Sequence, residues 1–194
     1  MNTAELDAIA QKMVADGKFI LAADESTVTI QNRFDDIGVE LTEDTRRDFR
    51  ELMFRTAPAM RDYISGVILF DETIRQKAKD GTPLVDLITA AGSIPGIKVD
   101  AGAKPLAFCP GETVTEGLDG LGGRLKEYYK LGARFAKWRG VIDIGSGIPS
   151  YTAIRANAHA LARYAALCQE NQIVPIVEPE VLMDGDHDIA RCEM

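Results

Sequence analysis

The sequence predicts an α/β fold of the (β/α)8 TIM-barrel kind, with about the first five βα units present over residues 1–194. Three observations carry that prediction. Short apolar, β-prone runs recur five times, tens of residues separate them, and charged residues gather where each run ends. Runs followed by turn residues and then helix-like stretches are how a parallel sheet of βα units reads. The gaps suit helical crossovers and exclude simple hairpins, because parallel strands need a connection of about a dozen residues or more. In a (β/α)8 barrel the residues at the C-terminal strand ends converge on one face, while the strand bodies pack as an apolar interior.

In order along the chain, residues 3–15 read as a helix with Leu6, Ile9, Ala10 and Met13 on one stripe and a break at Asp16-Gly17; it would cover one end of the barrel. The strand candidates are 18–24 (KFILAAD), 65–71 (SGVILFD), 96–100 (GIKVD), 134–139 (RFAKWR) and 173–180 (IVPIVEPE). Between them, 42–57 is predicted helical with Thr42 as N-cap and Pro58 as the stop. A shorter helix is expected over 121–131 and a long one over 149–171, whose apolar face carries Ile154, Leu161, Tyr164, Ala165 and Cys168. Nothing in the composition divides the chain, so one domain over 1–194 is expected, incomplete against the roughly 250 residues of a whole barrel.

With 46% apolar and 27% charged residues the chain has the make-up of a packed globular protein rather than a disordered one. A formal charge of -8 argues against nucleic-acid or anionic-membrane partners, so any basic groups that handle an anionic ligand must be concentrated in one place. The N-terminal residues lack a basic n-region and an apolar h-region, and no later stretch is long enough to span a bilayer; a cytoplasmic address is expected. Cys109, Cys168 and Cys192 are widely spaced and form no CxxC or Cys/His pattern, so they read as packing or surface thiols. No metal or cofactor site is expected. The Gly-rich run 117–123 (GLDGLGG) lacks the GK[ST] ending of a P-loop and reads as a turn. His187, between Asp186 and Asp188 and near Asp184, reads as a polar loop opening a helix rather than a metal site, and His159 as a helix residue without a catalytic partner.

The chemistry-bearing residues are those at the strand ends: Asp24; Asp71 and Glu72; Lys98 and Asp100; Lys137 and Arg139; Glu178 and Glu180. Three of these pairs are spaced i, i+2, and strand alternation puts both members of each on the same face. Any single pair is adequately explained as the solvated start of a loop. Three pairs and Asp24 together fit a site in which lysines and carboxylates on neighbouring strands adjust one another's proton affinity. Such a mixture suits a phosphorylated, hydroxylated substrate: the cations supply donors, and the carboxylates accept and return protons.

ILAADEST (20–27), GVILFDET (66–73), PGIKVD (95–100), GLDGL (117–121), FAKWR (135–139), NAHALARYAALCQ (157–169) and VPIVEPEVLMDGDHD (174–188) resemble the class I fructose-bisphosphate aldolases in content, order and spacing. The resemblance implies a cofactor-independent glycolytic lyase that splits fructose 1,6-bisphosphate into dihydroxyacetone phosphate and glyceraldehyde 3-phosphate. It implies that Asp24 takes the C4-hydroxyl proton, that Lys137 works near the scissile bond, and that Glu178 is the acid/base of Schiff-base formation. By the same resemblance Lys98, Arg139 and Glu180 position substrate, while Ser26, Thr29 and Arg33 lie near a substrate phosphate. The family also implies a homo-oligomer, a tetramer. One local departure is Val28, which stands where the family commonly has glycine and cannot cheaply adopt φ > 0 beside Thr29.

The family's nucleophilic lysine belongs to a later barrel strand than these five, so neither Lys98 nor Lys137 is expected to form the Schiff base. Five strands cannot close an eight-stranded barrel; edges are expected around Ile20 and Ile176, with low autonomous stability and low activity of the segment alone. The competing readings are a non-catalytic barrel fragment or assembly partner, and a related Schiff-base aldolase acting on another sugar phosphate.

Overall fold

A computed structural model describes residues 2–194. Five strands, β1 (Phe19–Ala23), β2 (Ile64–Leu69), β3 (Ile94–Lys98), β6 (Phe135–Ile142) and β7 (Val174–Val181), form one parallel sheet in the order β1-β2-β3-β6-β7. Each new strand joins beside the one before it, the order in which a (β/α)8 barrel is laid down. The two remaining strands, β4 (Ala103–Pro105) and β5 (Thr113–Thr115), make a separate antiparallel hairpin that the sequence pattern does not predict. All five predicted strands are present, with bounds within a few residues of those expected. β1 and β7 each pair on one side only, so the expected edges are where the sequence put them.

Alternation along the strands sorts side chains into two cores. Leu69, Ile97, Ala136 and Trp138 point outward and pack under the helices with Leu84, Ile88, Leu125, Leu161 and Tyr164. On the concave face Ile68, Ile94 and Phe135 pack with Met13, flanked by Ile9, Ile20, Val174 and Ile176. Met13 and Ile9 come from α1 (Thr3–Met13), which plugs the N-terminal end of the half barrel, and the Ser65 hydroxyl ties that helix down through the Met13 carbonyl at 2.6 Å. Phe135 fills the concave face because β2 and β3 present Gly66 and Gly96 to its ring.

The helices follow their sequence signals except at one proline. α3 (Glu43–Phe54) begins at Thr42 with a full capping box: Thr42 accepts from the Thr45 amide at 3.1 Å, and Thr45 accepts from the Thr42 amide at 2.9 Å. It ends before Pro58, but Pro58 does not simply stop a helix; it opens α4 (Ala57–Tyr63) from the first turn, where a proline's missing N–H has no intrahelical partner to lose. The Gly-rich 117–123 stretch is likewise only half a turn. Gly120 at φ 66° turns the chain, and Leu121, Gly122 and Gly123 are already the first turn of α7 (Leu121–Lys130). α8 (Tyr151–Glu170) is the long helix expected, and α9 (Ile189–Glu193) starts at Asp188, as a polar loop opening a helix would. Also unforeseen were α2 (Thr27–Asp35), α5 (Asp71–Arg75) and α6 (Leu84–Ala90).

Cys168 sits in the outer core, fully buried, and burial pushes its thiol up to about 12. A thiol in that state is protonated and shielded at pH 8. Ellman's reagent added to the native chain is therefore expected to titrate Cys109 and Cys192, both partly exposed, and to reach Cys168 only after denaturant; three equivalents without denaturant would contradict this packing.

Acid should loosen the outer helices. The Thr82 backbone N–H, the Thr82 hydroxyl and Arg55 hold Asp80 down to about 2. A hydrogen bond from Arg46 pulls Glu72 below its ordinary 4.5, and the Lys79 backbone N–H does the same for Glu51. Because these carboxyls are more acidic folded than unfolded, their stabilisation is complete above about pH 4.5 and drains as pH falls toward about 2. Urea midpoints should drop through that window, and Asp80→Asn should flatten the low-pH end of the slope.

Candidate active site

The concave face changes character along its length. Its N-terminal half is the apolar Phe135 layer, and past it the inward positions become charged: Asp24 beyond β1, Lys98 on β3, Lys137 and Arg139 on β6, Glu178 and Glu180 on β7. Parallel register sets Lys98 directly beside Lys137, and Arg139 beside Glu178. Asp24 is 6% exposed and receives both lysines on one oxygen: Lys137 Nζ stands 3.4 Å and Lys98 Nζ 3.7 Å from Oδ2. Lys137 Nζ also lies 3.5 Å from Glu178 Oε1, so three strand residues and Asp24, just beyond β1, form one contact chain, Lys98–Asp24–Lys137–Glu178. Lys98 donates in addition to the Asp24 carbonyl and lies over the Phe70 ring, 5.0 Å from its centroid, which fixes the ammonium by a cation–π contact. Nearer the rim, Arg139 pairs with Glu180 at 3.1 Å, both more exposed than the central lysines.

The β1–α2 loop closes one side. Ser26 caps α2, its Oγ accepting from the Thr29 amide at 3.3 Å and standing 3.0 Å from the Thr29 hydroxyl. Val28 lies within that helix and is exposed, and the backbone there adopts no positive φ. Arg33, also on α2, is engaged by Glu25 at 2.5 Å.

Asp24, Ser26, Thr29, Arg33, Lys98, Lys137 and Arg139 all line one cavity of about 410 Å³, joined by Glu25, Asp100 and Gly102. Four basic side chains there face three acidic ones, in a chain whose total charge is -8. Glu178 and Glu180 border the cluster through their ion pairs without lining that cavity. Asp71 and Glu72, by contrast, turn away to the helical layer, where Asp71 accepts from Arg75 and Tyr128 and Glu72 from Arg46. A larger cavity of about 1160 Å³ opens between the loop after β5 and α8; it holds Arg155 and His159 but none of the lysine–carboxylate cluster. Convergent titratable groups, not volume, single out the smaller one.

Two members of the site are not evident from the sequence pattern. Glu25 reads only as a neighbour of Asp24, although it binds Arg33 and faces Arg50. Arg50 is 1% exposed, on the same face of α3 as Phe54 four residues later, but its helical neighbours Arg46, Arg47 and Glu51 are charged too, so no apolar stripe in the sequence singles it out. The hairpin is equally hidden. Its three-residue strands hang on Asn157, which donates to the Thr113 carbonyl and accepts from the Thr115 amide, and on the Thr115 hydroxyl bonded to the Arg139 carbonyl at 2.7 Å.

A parallel half barrel with lysines and carboxylates converging at the C-terminal ends of its strands has the architecture of a barrel enzyme's catalytic mouth. The model of one family, Glycolytic: Fructose-bisphosphate aldolase class-I, matches residues 5–194. The chain is 66% identical over 192 residues to a probable fructose-bisphosphate aldolase class 1 of Xanthomonas campestris pv. campestris, covering 99% of this chain and 57% of that protein. It is 58% identical over 188 residues to the cytosolic fructose-bisphosphate aldolase 6 of Arabidopsis thaliana, covering 97% of this chain and 52% of that one. Among solved structures, the Plasmodium falciparum fructose-bisphosphate aldolase, crystallised with TRAP and a small-molecule inhibitor, superimposes with a TM-score of 0.93 at 51% identity over 97% of this chain and 55% of its own. The chain belongs to the class I fructose-bisphosphate aldolase family and spans a little over half the length of these relatives.

Proposed function

We propose that these residues supply the acid/base and substrate-positioning part of a Schiff-base fructose-bisphosphate aldolase, which reversibly cleaves fructose 1,6-bisphosphate to dihydroxyacetone phosphate and glyceraldehyde 3-phosphate. The observation that carries the reading is the Asp24 carboxylate set between Lys98 and Lys137 at the mouth of the half barrel. In this reading Asp24 accepts the C4-hydroxyl proton as the C3–C4 bond breaks. Lys137 steadies the developing charge near that bond, and Glu178, in contact with Lys137, moves protons during carbinolamine formation and dehydration. Lys98, Arg139 and Glu180 hold the sugar chain. Ser26, Thr29 and Arg33 receive a phosphate at the N-terminal end of α2, where free backbone amides favour an anion. Arg33 must then share itself with, or leave, Glu25.

The nucleophile is a lysine on a later strand, whose iminium serves as electron sink for the carbanion left by cleavage, so that no other cofactor is called for. The 194 residues are one domain's portion of the barrel. Assembly is expected to be homo-oligomeric, tetrameric as in the family, and the cytosolic names of plant relatives favour a cytosolic protein. Among the described residues no helix is long and apolar enough to cross a membrane.

Borohydride reduction in the presence of dihydroxyacetone phosphate, read by peptide mass spectrometry, tests the assignment. A full-length family member carrying these residues should trap its adduct on a lysine outside them, and the 194-residue chain should trap none. An adduct on Lys98 or Lys137 would overturn the roles assigned to those two lysines, and failure to trap any lysine in the full-length protein would overturn Schiff-base chemistry.

A further inference from the structure

Arg50 reaches from α3 to the C-terminal end of β1 and is almost wholly enclosed, at 1% exposure. Its Nε donates to the Ala23 carbonyl at 3.2 Å and its Nη2 to the Glu25 carbonyl at 2.9 Å. Lys98 donates to the carbonyl of Asp24 between them. Three consecutive peptide carbonyls, from Ala23 to Glu25, therefore each accept from a cationic side chain. The chain needs such help at this point: β1 is an edge strand, and its ladder with β2 ends at Ala23, opposite Leu69. Beyond that residue no sheet partner fixes the backbone that carries Asp24.

The guanidinium is poorly satisfied for a group so deeply buried. Its Nη1 has no hydrogen-bond partner among the described residues, and its nearest carboxylate, Glu25, lies 3.9 Å from Nη2 with its other oxygen taken by Arg33. A hydrophobic side chain would pack α3 against the sheet without that desolvation cost. What such a side chain could not do is hold two carbonyls separated by one residue, which a planar fork of fixed geometry does.

We infer that Arg50 is a positioning residue: by clamping the peptide carbonyls on either side of Asp24, it sets where the Asp24 carboxylate stands relative to Lys98 and Lys137, without itself touching substrate. This rests on the proposed role of Asp24 as acceptor of the C4-hydroxyl proton.

The test uses a full-length family member carrying these residues, with Arg50→Gln, Arg50→Lys, Asp24→Asn and the Asp24→Asn/Arg50→Gln double variant. Because a displacement of about 1 Å can cost on the order of 10²-fold in rate, Arg50→Gln should lower kcat for cleavage roughly 10- to 100-fold. KM should stay within about threefold, since a displaced base weakens the transition state and not ground-state binding. Arg50→Lys should fall between, its single ammonium reaching one carbonyl. The double variant should be no slower than Asp24→Asn alone, and borohydride trapping of dihydroxyacetone phosphate, which needs no C4-hydroxyl base, should be unchanged by Arg50→Gln. Wild-type kcat in a folded Arg50→Gln protein, a double variant whose losses multiply, or an equal loss of trapping would each overturn the inference. Should thermal melts show that Arg50→Gln does not fold, Arg50→Lys decides: wild-type kcat overturns the clamp, and lowered kcat with unchanged KM and trapping supports it. Wild-type kcat in Asp24→Asn would instead locate the failure in the role of Asp24, and the inference would fall with it.

Discussion

Gly96→Ala is expected to remove about 3 kcal/mol of folding stability, the upper end of what overpacking a well-filled core usually costs. A Cβ at Gly96 would overlap three carbons of the Phe135 ring, the farthest of them at 2.5 Å. The ring cannot step aside, because Phe135 is fully buried and already lies against Gly66, where an added Cβ would stand 2.9 Å away. Relief has to come from β3 and β6 moving apart, and those two strands carry Lys98 and Lys137 one inward position further along. A domain has only about 5–15 kcal/mol of stability in total, so the loss is a substantial fraction of it. Urea unfolding of a full-length family member carrying these residues measures it, as a lower midpoint at constant slope. Pairing the change with Phe135→Leu should recover part of the loss, since residues in contact do not behave additively. A double variant whose losses simply sum would show that the ring is not the obstacle.

The same layer explains why so much of this fold was legible. Apolar runs ending in charge are what a strand must look like if its lower half packs the inside of a barrel and its upper half lines a polar mouth, and β3, β6 and β7 each spell this out at i, i+2 spacing. The legible part of the site was the part held by strand geometry: Lys98, Lys137, Arg139, Glu178 and Glu180 come together because parallel register leaves them no alternative. The illegible part is held by side chains bonding to backbone. Arg50 grips two carbonyls, Asn157 pins a hairpin whose strands are too short to carry a pattern, and neither interaction constrains the residue types at the other end. Pro58 misled for a related reason. A proline's local meaning depends on whether the residues after it coil, and Ala57–Tyr63 packs Met60 into the core under tertiary pressure rather than through any strong helical signal of its own.

Asp24→Asn is expected to produce the largest functional effect, a fall in kcat for fructose 1,6-bisphosphate cleavage of about 10²- to 10⁴-fold in a full-length family member carrying these residues, the usual worth of a placed general base. The amide keeps the size and shape of the carboxylate, so the Arg50 clamp and the Lys98 bond to the Asp24 carbonyl both survive, and what is lost is proton acceptance. The charge left behind makes the prediction sharper. Two ammonium groups, 3.4 and 3.7 Å from Oδ2, lose their shared counter-ion, so the mouth becomes one unit more positive. An anionic bisphosphate should then bind at least as well as before, and KM should hold steady or fall while kcat collapses. A merely structural role for Asp24 predicts the opposite pairing, a raised KM through displaced lysines with kcat largely kept. Steady-state kinetics on the purified variant separates the two, and a kcat within about threefold of the parent would remove Asp24 from the proton path altogether.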